Sequence, residues 1–448
     1  MRLSVAATRH PGETRAILKD ENDTVLEVRL FRGTPESAEG ALLRGRVVGT
    51  LAAARAVLVD VGGAAPGLLP LAEWPGAPEE LTEGRAVAVG IERPARAEKG
   101  PRLTGRIRLA TPRLIFSPFR AGVSVSHRLA AEDVRRLSAW AQSGAAEGEG
   151  WVARGAAAAF PAAVLDRDRE RLRHRWAEAR AAAAAGGPPA CLVPAPDPFA
   201  EWLAEMAAEV ASVAVSGGVL NHAARGVLVE RVPLLASLGD PFAEEGGEEA
   251  LEEALSPLVA LPGGGRISLE PTRAFLAVDV DSGGDTAPEA ARAVNDAAVD
   301  RLVRELRLRN VGGAVVVDAI PEARKGPTEA QRKRLPERLR AAAAGDPRIQ
   351  VNGMTQLGHL ELVRARRGLS LHDVVLGDTL GEGAAAAETT ALAMLRDWVA
   401  DARLGTPAHP QVNPAVAGWL SGPGRGAAAE AETMAGQKLS WRIAGDRA

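Results

Sequence analysis

The sequence predicts a multidomain protein of mixed α+β and α/β structure, and three observations support this fold class. Its 448 residues are enough for roughly two to four domains, each with its own core. Five short strand-like segments fall between residues 42 and 110. A strand–helix–strand pattern lies between residues 275 and 320, and such a unit is typical of parallel sheets.

The composition limits the compartment and the kinds of site that we expect. Hydrophobic residues make up 46% of the chain and charged residues 25%, as in ordinary globular proteins. No run of about 18 apolar residues occurs, and the first ten residues lack the apolar core of a signal peptide, so we expect a cytoplasmic protein with no membrane partner. Cys191 is the single cysteine, which excludes internal disulfides and a zinc site built from two thiolates of one chain.

Residues 42–110 predict a small OB-type barrel. The strand-like segments are 42–50, 56–61, 67–71, 86–92 and 103–109, separated by glycine and proline. Barrels of this type bind single-stranded nucleic acid by stacking its bases on aromatic side chains. Here Leu58, Val61 and Leu68 occupy the candidate surface positions, so we expect weak binding or a mainly structural barrel.

Three stretches outside the barrel are predicted to be irregular. Residues 186–196 are rich in glycine and proline and are interpreted as a linker, and residues 240–249 as a surface loop. Residues 381–387 form a low-complexity break. A helix is predicted near residues 389–402, followed by a small terminal unit.

Two aspartates follow from the strand–helix–strand pattern. Asp279 and Asp318 each end a short apolar strand, and an apolar stripe at three- and four-residue spacing predicts one helix between them: Ala291, Val294, Ala298, Leu302 and Leu306. Such a unit implies parallel, neighbouring strands joined by a right-handed crossover. Both carboxylates should therefore lie at one edge of the sheet, where they would form a magnesium site.

The residues after the first aspartate are strongly basic. Residues 301–367 contain fifteen lysines and arginines against seven acidic residues, a local charge of about +8. Basic charge beside carboxylates suits a phosphodiester substrate. The cluster on one predicted helix fits a solvated helix face equally well: Arg332, Lys333, Arg334, Arg338 and Arg340.

The chain resembles the ribonuclease E/G family over almost its whole length. The residues that carry the resemblance are 275–284, Asn295, 306–318, 348–351 and 357–367, with further matches at 57–71, 150–155 and 409–419. The resemblance implies five subdomains. They are an RNase H-like subdomain of residues 1–40 plus 200–255, an S1-like OB barrel at 41–106, a 5′-sensor-like subdomain at 107–199, a DNase I-like catalytic subdomain at 256–380 and a small C-terminal domain at 381–448.

The resemblance also implies a function. Asp279 and Asp318 would bind one Mg²⁺, for which Mn²⁺ can substitute, with Asp281 as a third catalytic residue. Metal-activated water would then cleave single-stranded RNA (rRNA, tRNA precursor or mRNA) to 5′-phosphate and 3′-hydroxyl ends. No nucleotide cofactor is implied. The implied RNA-binding residues are Lys99, Arg154, Arg364, Arg366 and Arg367.

Several positions depart from the family pattern. Asp281 replaces the usual asparagine, Pro321 replaces an acidic residue and Gln356 replaces an arginine. Gly155 replaces the threonine partner of Arg154, so we expect weakened sensing of the RNA 5′ end. The two-cysteine zinc link is replaced by residues 371–377, so no zinc is expected and a homodimer would not be bridged by it.

Other readings of the same residues remain. A catalytically impaired RNA-binding or ribosome-associated paralogue is the alternative, because of the changes at Asp281, Gln356 and Gly155. Asp279 and Asp281 also resemble the nucleophile motif of haloacid-dehalogenase-type phosphatases, but Gly283 stands where that family requires threonine or valine. No lysine of a phosphate-binding loop follows the glycines at 283–284. His359 is interpreted as a packing or hydrogen-bonding residue.

Overall fold

The structure is a computed structural model that describes residues 2–444, apart from residues 34–35, 37, 64, 96–99, 127–128, 208, 229–231, 273, 285–286, 325, 378–386 and 406–408. The chain forms two compact units. The first comprises Met1–Leu30 with Ser237–Ala448, and the second comprises Phe31–Ala236. The predicted barrel and 5′-sensor ranges both fall in the second unit, and the bounds of the five subdomains remain predictions.

The chain begins with three strands: β1 (Leu3–His10), β2 (Glu13–Lys19) and β3 (Val25–Arg32). β1 and β2 form an antiparallel hairpin whose turn contains Gly12 at φ 70°. That positive φ favours glycine, and a Cβ there would also lie 2.5 Å from the Cβ of Ala427.

The second unit contains a closed barrel. Its strands are β4 (Leu42–Leu51), β5 (Ala56–Asp60), β6 (Gly67–Pro70), β7 (Ala86–Arg93) and β8 (Arg102–Thr104). They pair in the order β4-β5-β6-β8-β7, and β4 also pairs with β7, which closes the ring. Alternate residues such as Val57, Val59 and Val89 fill the interior. This mixed α+β chain with its OB-like barrel agrees with the predicted fold class.

A smaller sheet follows the barrel in sequence. Its elements are β9 (Leu109–Ala110), β10 (Leu114–Ser117), β11 (Gly122–Val125), α1 (Ala131–Gly144), β12 (Gly150–Ala153) and α2 (Ala162–Ala184), with the strand order β11-β12-β10-β9. Phe116 and Trp151 pack in its core with ring centroids 4.6 Å apart. β13 (Ala190–Val193) then pairs with β4, so the interpretation of residues 186–196 as a linker was wrong for this part.

The next elements are α3 (Pro198–Glu205), β14 (Val210–Ser216), α4 (Gly218–Val227) and β15 (Leu234–Ser237). The first unit resumes with α5 (Pro241–Glu244) and α6 (Gly247–Leu255), where a surface loop was predicted. That prediction was wrong. The Asp240 side chain accepts a hydrogen bond from the Ala243 N–H, Pro241 occupies the first helical position, and Phe242 is buried.

A six-stranded sheet, here called the aspartate sheet, carries both predicted aspartates. In chain order its elements are β16 (Leu258–Ala260), β17 (Arg266–Pro271), β18 (Phe275–Asp281), α7 (Pro288–Leu308), β19 (Gly313–Asp318), α8 (Glu329–Ala342), β20 (Ile349–Met354) and β21 (His359–Arg364). The strand order is β16-β17-β18-β19-β21-β20. β18 and β19 are parallel neighbours separated by one helix, which confirms the predicted unit.

One face of the aspartate sheet packs against helices α7 and α8. The apolar stripe predicted for the helix is buried at all five positions: Ala291, Val294, Ala298, Leu302 and Leu306. It meets the alternate strand residues, such as Leu276, Val278 and Val317. Because side chains alternate along a strand, the intervening residues project from the opposite side, here called the open face.

The first unit ends with α9 (Leu371–Leu376), α10 (Ala387–Arg403), β22 (Gln411–Val412), α11 (Pro414–Ser421), α12 (Arg425–Ala435) and β23 (Arg442–Ile443). α10 confirms the helix predicted near residues 389–402. α9 occupies the position of the missing zinc link, and the side chains of Ser370 and Asp373 form a capping box at its start. The predicted low-complexity break lies almost wholly outside the described residues.

Candidate active site

Asp279 and Asp318 lie side by side on the open face. They are register partners in the parallel β18–β19 ladder, so their Cα atoms are separated by about 4.8 Å, the ordinary spacing of neighbouring strands. Asp279 stands two residues before the end of β18, and Asp318 is the last residue of β19. The structure therefore brings together the two residues on which the predicted site depends.

The aspartate pair is the centre of a row that crosses the sheet. Ser268 is the partner of Asp279 on β17, and His359 is the partner of Asp318 on β21. The Nε2 atom of His359 lies 3.8 Å from Oδ1 of Asp318, and the histidine side chain is 39% exposed. His359 therefore faces the carboxylates rather than the core.

The charge of Asp279 is only partly balanced, because the Arg266 guanidinium acts on it against three carboxylates. Partial burial, together with the negative charges of Asp318, Asp281 and Glu270, raises the pKa of Asp279 above its ordinary value. In the described part of the chain, no lysine or arginine forms an ion pair with Asp279. Among the residues that the structure describes, His359, when protonated, is the one cationic group within ion-pair distance of Asp318. Two adjacent carboxylates without a full counter-charge favour the binding of a metal cation.

Asp281 is arranged differently from the other two aspartates. One carboxylate oxygen accepts a hydrogen bond from the Gly283 N–H at 2.8 Å, and the other accepts one from Arg266 Nη2 at 2.6 Å. Both hydrogen bonds lower the pKa of Asp281, and the one from the Gly283 N–H has the larger effect. Gly283 has φ 72°, and a Cβ there would lie 2.5 Å from the Gly264 carbonyl oxygen, so the turn requires glycine. Asp281 thus fixes the turn and holds Arg266 beside the site.

The loop after Asp318 is held by two buried amide side chains. Asn295 on α7 donates to the Ile320 carbonyl oxygen at 2.8 Å and accepts from the Ile320 N–H at 3.0 Å. Gln331 on α8 donates to the same carbonyl oxygen and accepts from the Glu322 N–H. Both side chains are almost fully buried, so replacing them leaves backbone groups unsatisfied. They fix the position at which Asp318 leaves the sheet.

The donor set fits magnesium better than a metal that requires three or four protein ligands. Across the residues that the structure describes, no group of three or more histidine, cysteine or acidic side chains has a metal-binding arrangement. Magnesium is commonly held by one or two carboxylates, with water and substrate phosphate completing its coordination. Asp279 and Asp318 meet that requirement.

The structure does not bring the predicted arginines to the aspartate pair. Arg364 is 1% exposed, and its guanidinium binds the Asp346 carboxylate and the Val311 carbonyl oxygen. It cannot contact RNA from this position, so its assignment to RNA binding is corrected to a structural role. Arg366 is exposed and packs against Gly312 and Gly313 at the start of β19, about 17 Å along the strand from Asp318. Arg367 follows it and is half-buried.

The remaining predicted RNA-binding residues belong to the second unit. Arg154 donates to the Thr111 carbonyl oxygen and pairs with the Glu201 carboxylate through Nη1. Burial raises the pKa of Glu201 although Arg154 opposes the shift, and Oε1 of this carboxylate accepts no hydrogen bond from the residues that the structure describes. Lys99 lies outside the described residues.

The basic residues of α8 are largely engaged with neighbouring groups. Arg334 pairs with Asp296 and Glu322, Arg338 pairs with Asp296 and Asp300, and Lys333 pairs with Glu329. Arg332 donates to the Gln356 carbonyl oxygen in the β20–β21 turn. Lys333 and Arg338 remain exposed, which supports the interpretation as a solvated helix face for these two, whereas Arg334 is largely buried between its partners.

Sequence reasoning missed Arg266 and undervalued His359 as site residues. Arg266 precedes the first aspartate by thirteen positions and reaches the site because β17 pairs antiparallel with β18. Only residues 272–274 separate the alternating segment 266–271 from the strand that carries Asp279, and so short a connection was a hairpin signal that predicts this pairing. His359 reaches the site only through the β19–β21 register, which the sequence alone does not specify.

Comparisons with known proteins show what this chain is similar to. The family model described as the ribonuclease E/G family matches residues 108–367. Ribonuclease E of Nostoc sp. is 32% identical over 328 residues, which cover 67% of this chain and 46% of the relative. Ribonuclease E of Escherichia coli is 30% identical over 75% of this chain and 34% of the relative. Ribonuclease G of Haemophilus influenzae is 26% identical over 82% of this chain and 80% of the relative.

The matched family model covers more than half of the chain, so the chain belongs to the ribonuclease E/G family. The chain spans 46% of the length of the Nostoc ribonuclease E and 34% of the length of the Escherichia coli ribonuclease E. Every helix in the described part of the chain is too short or too polar to span a lipid bilayer.

Proposed function

We propose that this member of the ribonuclease E/G family is a magnesium-dependent endoribonuclease that cleaves single-stranded RNA at the Asp279–Asp318 pair. The observation that carries the proposal is the register pairing of two exposed carboxylates that lack an arginine or lysine partner in the described chain. A buried or fully paired carboxylate would have a structural explanation. The Asp279–Asp318 pair has no such structural explanation. The two carboxylates repel each other, so their proximity is unfavourable unless a cation binds between them.

Magnesium bound by Asp279 and Asp318 would supply an activated water and neutralise negative charge on the scissile phosphate. The chain's own groups would do the rest. Asp281 holds the Arg266 guanidinium, 58% exposed, where it can donate to a phosphate oxygen as charge develops. Water adds to phosphorus while the bond to the 3′ oxygen breaks and that oxygen takes up a proton. The products are a 5′-phosphate and a 3′-hydroxyl.

We further propose that sensing of the RNA 5′ end is weak. Arg154, the candidate phosphate ligand, is already paired with Glu201, and Gly155 supplies no hydroxyl. A 5′-phosphate would have to compete with this carboxylate for the same guanidinium. The competition predicts that cleavage differs little between 5′-monophosphorylated and 5′-hydroxyl RNA.

The RNA substrates that we propose are rRNA, tRNA precursors or mRNA in the cytoplasm, with Arg366 and Arg367 as candidate backbone contacts at the far end of β19. A homodimer would have to form without a zinc bridge, because the chain has one cysteine. These assignments rest on family membership.

A catalytically impaired RNA-binding paralogue is the second candidate. One observation favours it: arginines that could attract RNA form ion pairs within the protein instead. Arg364 is buried against Asp346, and Arg334 pairs with two carboxylates. In the described part of the chain, Arg266 is the one arginine that forms an ion pair with an aspartate of the site.

Cleavage of a fluorescent single-stranded RNA distinguishes the two candidates. The nuclease proposal expects metal-dependent turnover by the wild type, its loss on chelation, and its loss in Asp279→Asn. Glu337→Gln, an exposed substitution on α8, is the matched control and should cleave like the wild type. Binding without cleavage by wild type and Asp279→Asn alike would support the paralogue instead.

A further inference from the structure

The open face of the aspartate sheet carries an exposed apolar row at the opposite end from the aspartate pair. Phe275 on β18, Ala314 on β19 and Val363 on β21 are register partners. The side chains of Phe275 and Val363 are 38% and 40% exposed. Apolar residues placed side by side on an uncovered sheet face have no role in the core below them.

Phe275 is held firmly although its ring is exposed. Thr272 Oγ1 accepts from the Phe275 N–H at 3.1 Å, and the Thr272 hydroxyl and N–H both donate to the Phe275 carbonyl oxygen. In the described part of the chain, the ring stacks on no other aromatic side chain. Its backbone is thus fixed by the β17–β18 turn, while one side of the ring remains available to a ligand.

Between the apolar row and the aspartates lies a row whose two central members, on β18 and β19, have small side chains, with Glu270 and Glu361 at its flanks. Ala277 pairs with Val316, and Val316 pairs with Glu361. Phe275 precedes Asp279 by four positions on the same face, a separation of about 13 Å along the strand. Nothing bulky stands between them on β18 or β19, so a few nucleotides could lie flat along this path.

We propose that Phe275, with Ala314 and Val363 beside it, is the base-stacking platform of the active site and seats a nucleobase a few nucleotides from the scissile phosphate. The inference rests on the proposed nuclease function and adds a substrate contact to it. Base stacking on an exposed aromatic ring is the usual way in which proteins hold single-stranded RNA. The barrel has leucine and valine where aromatic side chains are expected, so we place the stacking platform on the aspartate sheet.

The charge of the open face favours RNA over a second copy of the chain as the occupant. The same face carries Asp279, Asp318, Glu270 and Glu361. If two such faces packed together, each would bring these four carboxylates to the interface, and like charges across an interface oppose association. A metal ion held by Asp279 and Asp318 would offset part of this charge and coordinate a phosphate of the strand, so the metal supplies the attraction for RNA.

The experiment compares wild type, Phe275→Ala and Phe275→Trp on a short single-stranded RNA with one cleavage site. Phe119→Ala is the control, because Phe119 is also exposed, at 46%, and lies on the other unit. Phe275→Ala should raise KM roughly 5- to 100-fold with kcat little changed, whereas Phe275→Trp should retain the wild-type KM. A 2-aminopurine base scanned through the positions near the cleavage site should be quenched by wild type and Phe275→Trp, but not by Phe275→Ala.

The outcomes separate this inference from the proposed function. If the wild type does not cleave RNA, the nuclease proposal fails, and the anisotropy and quenching of bound RNA still decide whether Phe275 stacks on a base. Equal RNA affinity and equal quenching for Phe275→Ala and wild type would overturn the platform. A change in oligomeric mass on sedimentation, with RNA affinity unchanged, would identify the row as a subunit contact and would also overturn it.

Discussion

The two ends of the aspartate sheet handle charge in opposite ways. At the end where β19 finishes, Asp279 and Asp318 are exposed, adjacent and without a lysine or arginine partner in the described chain. At the end where β19 begins, Arg364 is buried and held by Asp346 and the Val311 carbonyl oxygen. Although burial opposes the shift, hydrogen bonds from Arg348 and Arg364 hold the pKa of Asp346 well below its usual range.

This difference shows how to separate functional from structural charges in the molecule. A buried charge must be compensated for the chain to fold, so its partners are present in the structure. An exposed cluster of like charges is tolerated without compensation when the missing counter-charge comes from a ligand. The substitutions below test whether uncompensated charge marks function and compensated charge marks stability.

The largest expected effect is on catalysis at the uncompensated end. Asp318→Asn should reduce the single-turnover cleavage rate roughly 10²- to 10³-fold, because it removes a charge that acts on the transition state through the metal. Its unfolding midpoint should equal or exceed that of the wild type, since a repulsive neighbour of Asp279 is lost. Rate and thermal unfolding are measured on the same preparation. A large fall in stability would show that Asp318 is a structural residue.

At the end of the sheet where the charges are compensated, substitution should lower stability rather than the cleavage rate. Arg364→Ala should lower the free energy of unfolding by about 3 kcal/mol, because it leaves Asp346 buried with one arginine partner instead of two. Arg366→Ala, the neighbouring exposed arginine, should change it by less than about 0.5 kcal/mol. Chemical denaturation measures both. Equal, small effects of the two substitutions would contradict the assignment of Arg364 to structure.

The sequence was sufficient to predict the helices and strands that are determined by the pattern of neighbouring residues. The apolar stripe from Ala291 to Leu306 specified α7, the β-branched run at 315–317 specified β19, and alternation with glycine specified the five barrel strands. The aspartate pair followed because the strand–helix–strand connection forces parallel neighbours. Within that unit, secondary structure and topology were sufficient to bring two distant residues together.

The errors have a common physical cause, which is pairing between segments far apart in sequence. Arg364 was assigned to RNA because its burial depends on Asp346 and Val311, which periodicity does not reveal. Residues 190–193 look like a linker, but they add a strand to the barrel through β4. The segment at 240–249 was called a loop from its composition, although Asp240 followed by Pro241 is a helix-start signal.

The pH dependence of stability sharpens the comparison further. The pKa of Asp346 is lower in the folded than in the unfolded chain, so its contribution is present above about pH 4 and is lost as the pH falls through that value toward the folded pKa. Asp346→Asn should remove on the order of 2 kcal/mol of this acid-sensitive stability. The exposed Asp300→Asn should leave the unfolding curves between pH 2 and 7 nearly unchanged. Parallel curves for wild type and Asp346→Asn would refute the argument.

The smallest expected effect concerns a site of intermediate character, the Arg154–Glu201 pair of the second unit. The side chains are 18% and 28% exposed, so this charge is compensated but accessible. Glu201→Gln removes the competing carboxylate charge and leaves Arg154 available to a phosphate. The ratio of cleavage rates for 5′-monophosphorylated over 5′-hydroxyl RNA should then rise roughly tenfold, the effect of about one charge-assisted hydrogen bond.

Two further variants show whether that gain depends on Arg154. Adding Arg154→Ala to Glu201→Gln should return the ratio to the wild-type value, because the phosphate ligand is then absent. Glu178→Gln, an exposed substitution on α2, should leave the ratio unchanged. If the ratio stays flat in Glu201→Gln, or rises equally in the double variant, Arg154 does not bind the 5′-phosphate. Its ion pair would then belong with Arg364 and Asp346 among the structural charges.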